Sequence, residues 1–128
     1  IWLMSATGEN PLQIIRSGSE LSDYLPTWSP DGNTILFNQR HLNARPYVMS
    51  VPADDRTDEQ GDSFPINIVQ IEDLDYSPDG MWLLYEGQDN GENKDILYIP
   101  INGNQKIRLT SDDRFDFDPA WRPAAPFP

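Results

Sequence analysis

The sequence predicts an all-β fold of repeated four-stranded antiparallel sheets. Three observations predict it. A turn motif recurs as Trp28-Ser29-Pro30-Asp31-Gly32 and Tyr76-Ser77-Pro78-Asp79-Gly80, and its beginning returns at Trp121-Arg122-Pro123. The spacings, 48 and 45 residues, suit a four-stranded repeat. Between the motifs lie short runs of β-branched and aromatic residues, bounded by Gly, Pro, Asn and Asp, with no long amphipathic helical period. Twelve prolines spread over 128 residues also oppose long helices.

The elements follow in order. Ile1-Trp2-Leu3-Met4, Pro46-Tyr47-Val48-Met49 and Ile96-Leu97-Tyr98-Ile99 read as one strand in three copies. The first and last copies run through a glycine turn (Gly8, Gly103) into a further strand, Leu12–Ile15 and Lys106–Leu109. The second unit is expected to hold strands Leu25–Ser29, Thr34–Asn38, Tyr47–Val51 and Ile66–Gln70. The third is expected to hold Leu74–Ser77, Trp82–Glu86, Ile96–Pro100 and Lys106–Leu109. Short connections favour antiparallel meanders. The expected division is 1–22, the back half of a unit; 23–71 and 72–114, two whole units; 115–123, one first strand; and 124–128, a fraying tail. The segment ahead of the motif also repeats: Asp23–Trp28 matches Asp116–Trp121, including Pro26 and Pro119, whereas the middle copy departs at Ile71 and Leu74.

Turn chemistry explains the motif. Pro30 and Pro78 preset φ near about −65°, Asp31 and Asp79 can bond local backbone, and Gly32 and Gly80 accept positive φ. The aromatic ahead of the turn (Trp28, Tyr76, Trp121) ends a first strand and can pack between neighbouring sheets. Asn90-Gly91 supplies a second hairpin signal.

Stacked four-stranded units of this length are the signature of β-propeller blades. The pattern Asp-x-x-Pro-x-Trp-Ser-Pro-Asp-Gly, followed by Ile35-Leu36-Phe37 and later by Arg108-Leu109-Thr110, resembles the TolB-type propeller repeat along nearly the whole chain. The resemblance is specific for fold. It implies blades found in TolB itself, in sensor regions of bacterial receptors and ahead of prolyl-oligopeptidase-type hydrolases, and hence an extracytoplasmic, periplasmic setting. About three blade equivalents are present, whereas closed propellers have roughly four to eight. The chain is therefore expected to be part of a longer propeller, half of a ring completed head to tail by a second copy, or an open monomer. It opens at Ile1 without an initiator Met or a signal-peptide pattern and reads as a processed or excised piece.

Composition excludes several functions. The net charge is −12, which repels phosphate backbones and anionic lipid and disfavours nucleic-acid and membrane-surface binding. No cysteine is present, so thiol catalysis, disulfides and cysteine metal sites are excluded. No apolar run approaches the roughly 18 residues of a membrane span. Fourteen aromatics argue against a disordered acidic chain.

Candidate chemistry is sparse. The lone histidine, His41, follows a strand and lacks any Gly-x-Ser-x-Gly partner motif, so no hydrolase site is expected within the chain. Acidic loops gather Asp54, Asp55, Asp58, Glu59 and Asp62, and then Asp112, Asp113, Asp116 and Asp118, without the spacing of a known site. Asp89, Asn93 and Asp95 around Gly91 faintly resemble a calcium loop but lack its terminal Glu; a solvated hairpin and a weak Ca²⁺ site both fit. Asp23, Asp116 and Asp118 fit two roles: bonding backbone N–H groups ahead of the first strands, or forming an acidic wall around a central opening that draws a cation or basic peptide. Trp2, Tyr47 and Tyr98 could stack on sugars, although packing between blades is the expected role. Together these features predict a non-catalytic module that binds a protein or peptide. The alternatives are an accessory propeller of a prolyl-oligopeptidase-type hydrolase and a sugar- or Ca²⁺-binding propeller.

Overall fold

The computed structural model describes residues 1–54, 56–58, 61–66, 71–88 and 93–123. Among them there is no helix. Ten strands form three sheets. β1 (Trp2–Leu3) pairs with β2 (Leu12–Gln13). The middle sheet runs β3 (Leu21–Trp28), β4 (Thr34–His41), β5 (Tyr47–Pro52), β6 (Asp62–Ser63). The last runs β7 (Ile71–Tyr76), β8 (Trp82–Gly87), β9 (Asp95–Pro100), β10 (Ile107–Arg108). Every neighbour is antiparallel and next in sequence, as meander connections require.

The two large sheets superpose in register. Trp28 pairs with Ile35 and Tyr76 with Leu83; Ile35 then pairs with Val51 and Leu83 with Ile99. The turns repeat atom for atom. Ser29 Oγ donates to Asp31 at 2.6 Å and accepts from the Thr34 amide at 2.9 Å. Ser77 Oγ donates to Asp79 at 2.5 Å and accepts from the Trp82 amide at 2.9 Å. Gly32 and Gly80 take φ of 72° and 71°, closing each turn where a Cβ would be strained. The serine bond, and then backbone donors, hold the Asp31 and Asp79 carboxyls below their ordinary range.

Side-chain alternation builds two cores. Ile35, Phe37, Met49 and Val51 face the first sheet and meet Ile14 and Ile15. Leu36 and Val48, on the opposite face, meet Ile71, Leu74, Leu83, Tyr85, Leu97 and Ile99 of the last sheet. β3 and β7 lie in contact, so the sheets converge at their first strands as blades do around an axis.

Several elements differ from expectation. Asp62–Ser63 forms a strand beside β5 that was not expected, pairing with Ser50 and Met49. Phe64 and Ile66 pack against the core, and residues 67–70 of the expected strand Ile66–Gln70 lie outside the described residues. Strand Leu12–Ile15 stops at Gln13 because Ile14 and Ile15 are both fully buried, which breaks alternation; Ile15 bridges Asp58 in parallel. The third-strand copies match two residues away from the motif alignment: Val51, not Met49, takes the place of Ile99. Trp2 and Tyr47 are exposed rather than packed between sheets, and Trp28 is half exposed; Tyr76 does pack against the core. Tyr98 meets Trp82 edge to face, with centroids 5.2 Å apart. The tail at 124–128 lies outside the described residues.

Candidate functional site

β3, β7 and the segment before Trp121 carry a repeated distortion; that segment, expected as a first strand over 115–123, is not a strand in the structure. Leu25, Asp73 and Asp118 each lie three residues before the motif aromatic, and each has positive φ: 51°, 50° and 56°. Pairing shifts register between Tyr24 and Thr27, and again between Glu72 and Asp75. This is a β-bulge, which re-aims a side chain at the sheet edge. At the second bulge the residue is the carboxylate Asp73, and Asp118 shares its backbone conformation outside any strand.

These carboxylates meet a third. Asp73, Glu86 and Asp118 place carboxylate oxygens within 4.8 Å of one another, the only such trio among the described residues. Glu86 is buried on β8, Asp73 is half-buried and Asp118 exposed. Glu86 Oε1 accepts from the Asp118 amide at 2.9 Å, and its Oε2 accepts from Lys94 Nζ at 3.0 Å. Lys94 also bonds Glu72, which is the main reason its ammonium is held above its ordinary range. Burial pushes the Asp73 carboxyl up; the charges of Glu86, Asp118 and Asp75 and a bond to Asp118 push it further.

Backbone bonds seat the segment carrying Asp118. The Trp121 amide donates to Asp75 Oδ2 at 2.8 Å, and the Asp116 amide donates to the Lys94 carbonyl at 3.0 Å. Asn38 holds the place of Glu86 one repeat earlier, and its Nδ2 donates to the Ile71 carbonyl at 2.7 Å. One buried polar side chain per second strand thus clamps the segment that follows the sheet: β7 for Asn38 and the segment carrying Asp118 for Glu86.

The expected site residues separate. Asp118 joins the trio. Asp23 accepts from Ser17 Oγ at 2.6 Å and Gln39 Nε2 at 2.8 Å, so its partners are side chains rather than backbone amides. Asp116 keeps one buried carboxylate oxygen without a hydrogen-bond partner. Of the calcium-like loop, Asp89 lies outside the described residues; Asn93 donates to the Asp112 carbonyl, and Asp95 pairs with Arg108 at 3.3 Å. His41 pairs with exposed Glu20 at 2.9 Å. Sequence reasoning missed Asp73 and Glu86. Their signals were an acid in the degraded middle copy and a lone charge ending the apolar run Trp82-Leu83-Leu84-Tyr85.

The chemistry of the trio suits a cation. Three carboxylates supply at most six oxygens, so Ca²⁺ would have to complete its roughly six to eight ligands with water or backbone carbonyls. An ammonium or guanidinium needs only two or three acceptors and fits better.

The chain is similar in structure to known proteins. It aligns with TolB from Acinetobacter baumannii at TM-score 0.64 and 26% identity, over 90% of this chain and 27% of that one. It aligns with an oligogalacturonate lyase in complex with manganese at TM-score 0.60 and 16% identity, over 84% of this chain and 28% of that one. A third likeness is to the AtxE2 isopeptidase, at TM-score 0.52 and 18% identity, over 87% of this chain and 20% of that one. The chain therefore spans about a quarter of the length of these structures. No protein-family model matches it, and no curated protein does. The architecture is that of β-propeller blades, in a partial set. No helix in the described residues is long and apolar enough to cross a membrane.

Proposed function

We propose that the chain is a non-catalytic interaction module whose first-strand edge receives a basic side chain of a peptide or protein. The observation that carries this reading is the convergence of Asp73, Glu86 and Asp118 where the segment before Trp121 docks. Among the described residues, Lys94 offsets part of that charge. An incoming Lys or Arg would relieve the like-charge repulsion that adds to burial in raising the Asp73 carboxyl, and would gain charge-assisted bonds. The net charge of −12 would speed its encounter. Asp116, beside Asp118 in sequence, extends the acidic edge, while Asp23 is proposed as a structural member. Structural likeness to TolB supports a protein partner and an extracytoplasmic setting.

Calorimetric titration with tri-arginine and tri-glutamate peptides tests the reading. Tri-arginine should bind, weaken as salt rises, and weaken further in Asp118→Asn. Equal heats from both peptides, or no effect of Asp118→Asn, would remove it.

A further inference from the structure

Asp73 and Asp118 are joined by a side-chain hydrogen bond. Ionised carboxylates only accept, so a bond between two carboxyls needs a proton on one of them. Glu86 brings a third carboxylate within 4.8 Å of both. Its own oxygens are already engaged, Oε1 by the Asp118 amide and Oε2 by Lys94.

The charged groups that act on Asp73 are all acids: Glu86 on β8, Asp118 in the segment before Trp121, and Asp75 on β7 itself. Lys94 on β9 is held between Glu72 and Glu86. β3 and β4 also pack against β7. From β3, Asp23 is engaged by Ser17 and Gln39, and Tyr24 carries a hydroxyl pushed up by burial. From β4, Arg40 lies over the Tyr24 ring, 5.8 Å from its centroid, and His41 pairs with Glu20. Among the described residues, no cationic side chain pairs with Asp73 or Asp118. The proton between them does what a cation would do there.

We propose that this site takes up its basic side chain by exchange: as a Lys or Arg enters between Asp73 and Asp118, the proton they share leaves to solvent. The inference rests on the function proposed above and adds to it a coupling to pH. Proton and side chain answer the same crowding of negative charge, so they compete. Burial, then the neighbouring acids, hold the Asp73 carboxyl above its ordinary range and carry that competition upward in pH. The bound state holds fewer protons than the free state. Affinity therefore rises with pH through the raised range and levels off above it, by at most about tenfold per pH unit for one proton.

Calorimetric titration with acetylated, amidated tri-arginine tests the exchange from about pH 4.5 to 7.5, above the ordinary aspartate range. The capped peptide has no group that titrates in that window. Each titration is run in two buffers of unlike ionisation enthalpy, which counts the protons released, and β-sheet dichroism is followed across the same window. Affinity should rise at least about threefold, with up to one proton released per peptide and unchanged dichroism. Asp73→Asn should weaken binding and flatten its pH dependence. In His41→Asn, which removes the chain's one imidazole, the pH dependence should persist. Tri-arginine that binds equally at every pH, with equal heats in both buffers, would overturn the exchange and leave the proposed function standing. No binding at any pH would overturn both. A pH dependence that survives in Asp73→Asn, or disappears in His41→Asn, would overturn the exchange alone.

Discussion

Asp73 and Asp118 occupy the same place in successive repeats, and their carboxyls meet. Both take left-handed backbone, at φ 50° and 56°, and both lie three residues before the motif aromatic. The residue in that place one repeat earlier is Leu25, so the acidic character belongs to this junction and not to the repeat as such.

Asp73 and Asp79 have opposite pH dependences. The folded Asp73 carboxyl holds its proton above the ordinary range, so its contribution to stability is present at low pH and is lost as pH rises through the raised value. Asp79, held below the ordinary range by Ser77, contributes stability that is present at neutral pH and lost as pH falls through the lowered value. Asp73→Asn should therefore raise the urea midpoint at pH 7, with the gain shrinking toward about pH 3. Asp79→Asn should lower the midpoint at pH 7, with the loss shrinking toward about pH 2. Same-sign pH trends in the two variants would contradict this assignment.

Lys94 is the cation between Glu72 and buried Glu86. Lys94→Met keeps its apolar stem and removes its charge. The variant should lose about 1–3 kcal/mol, because Glu86 is left buried among like charges. Chemical denaturation at pH 7 measures this, and Glu86→Gln in the same background should recover part of the loss.

Gly61 reaches φ 71° beside β5, and a Cβ there would lie 2.7 Å from the Ser50 carbonyl oxygen and 3.3 Å from the Phe37 ring. Backbone cannot give way as a flexible side chain can. Gly61→Ala should cost about 2 kcal/mol, read as a fall in thermal midpoint, whereas a neutral result would show that the loop is free to move.

Leu25 holds φ 51° with a branched, partly exposed side chain. Asn tolerates that conformation better. Leu25→Asn should stabilise the fold by about 1 kcal/mol, provided that no core contact is lost. Denaturation of Leu25→Ala, which trims the side chain but keeps the strained backbone, separates the two effects, since it should bring no gain.

Much of the fold was legible because its signals are local. Pro30, Asp31 and Gly32, and their copies at 78–80, dictate a turn through their own dihedrals and hydrogen bonds. The errors fell where periodicity is blind. Shifting Met49 against Val51 moves a strand by two residues, and a period-two pattern keeps every side chain on the same face. Register was settled by cross-strand pairing, Ile35 with Val51 and Leu83 with Ile99. Strand Asp62–Ser63 was missed for a related reason: two exposed polar residues carry no hydrophobic signal, and they pair only because Met49 and Ser50 lie opposite.

The order of residues alone determined that short strands alternate with tight turns and that successive units share one construction, since turn dihedrals and face alternation depend on near neighbours. Only the tertiary structure decided which acids meet. Asp73, Glu86 and Asp118 come from three segments of chain, and a bulge, a buried strand position and the docking of the segment before Trp121 bring them together. Their repulsion, and whatever cation it draws, arises from distances through space that spacing along the chain does not encode.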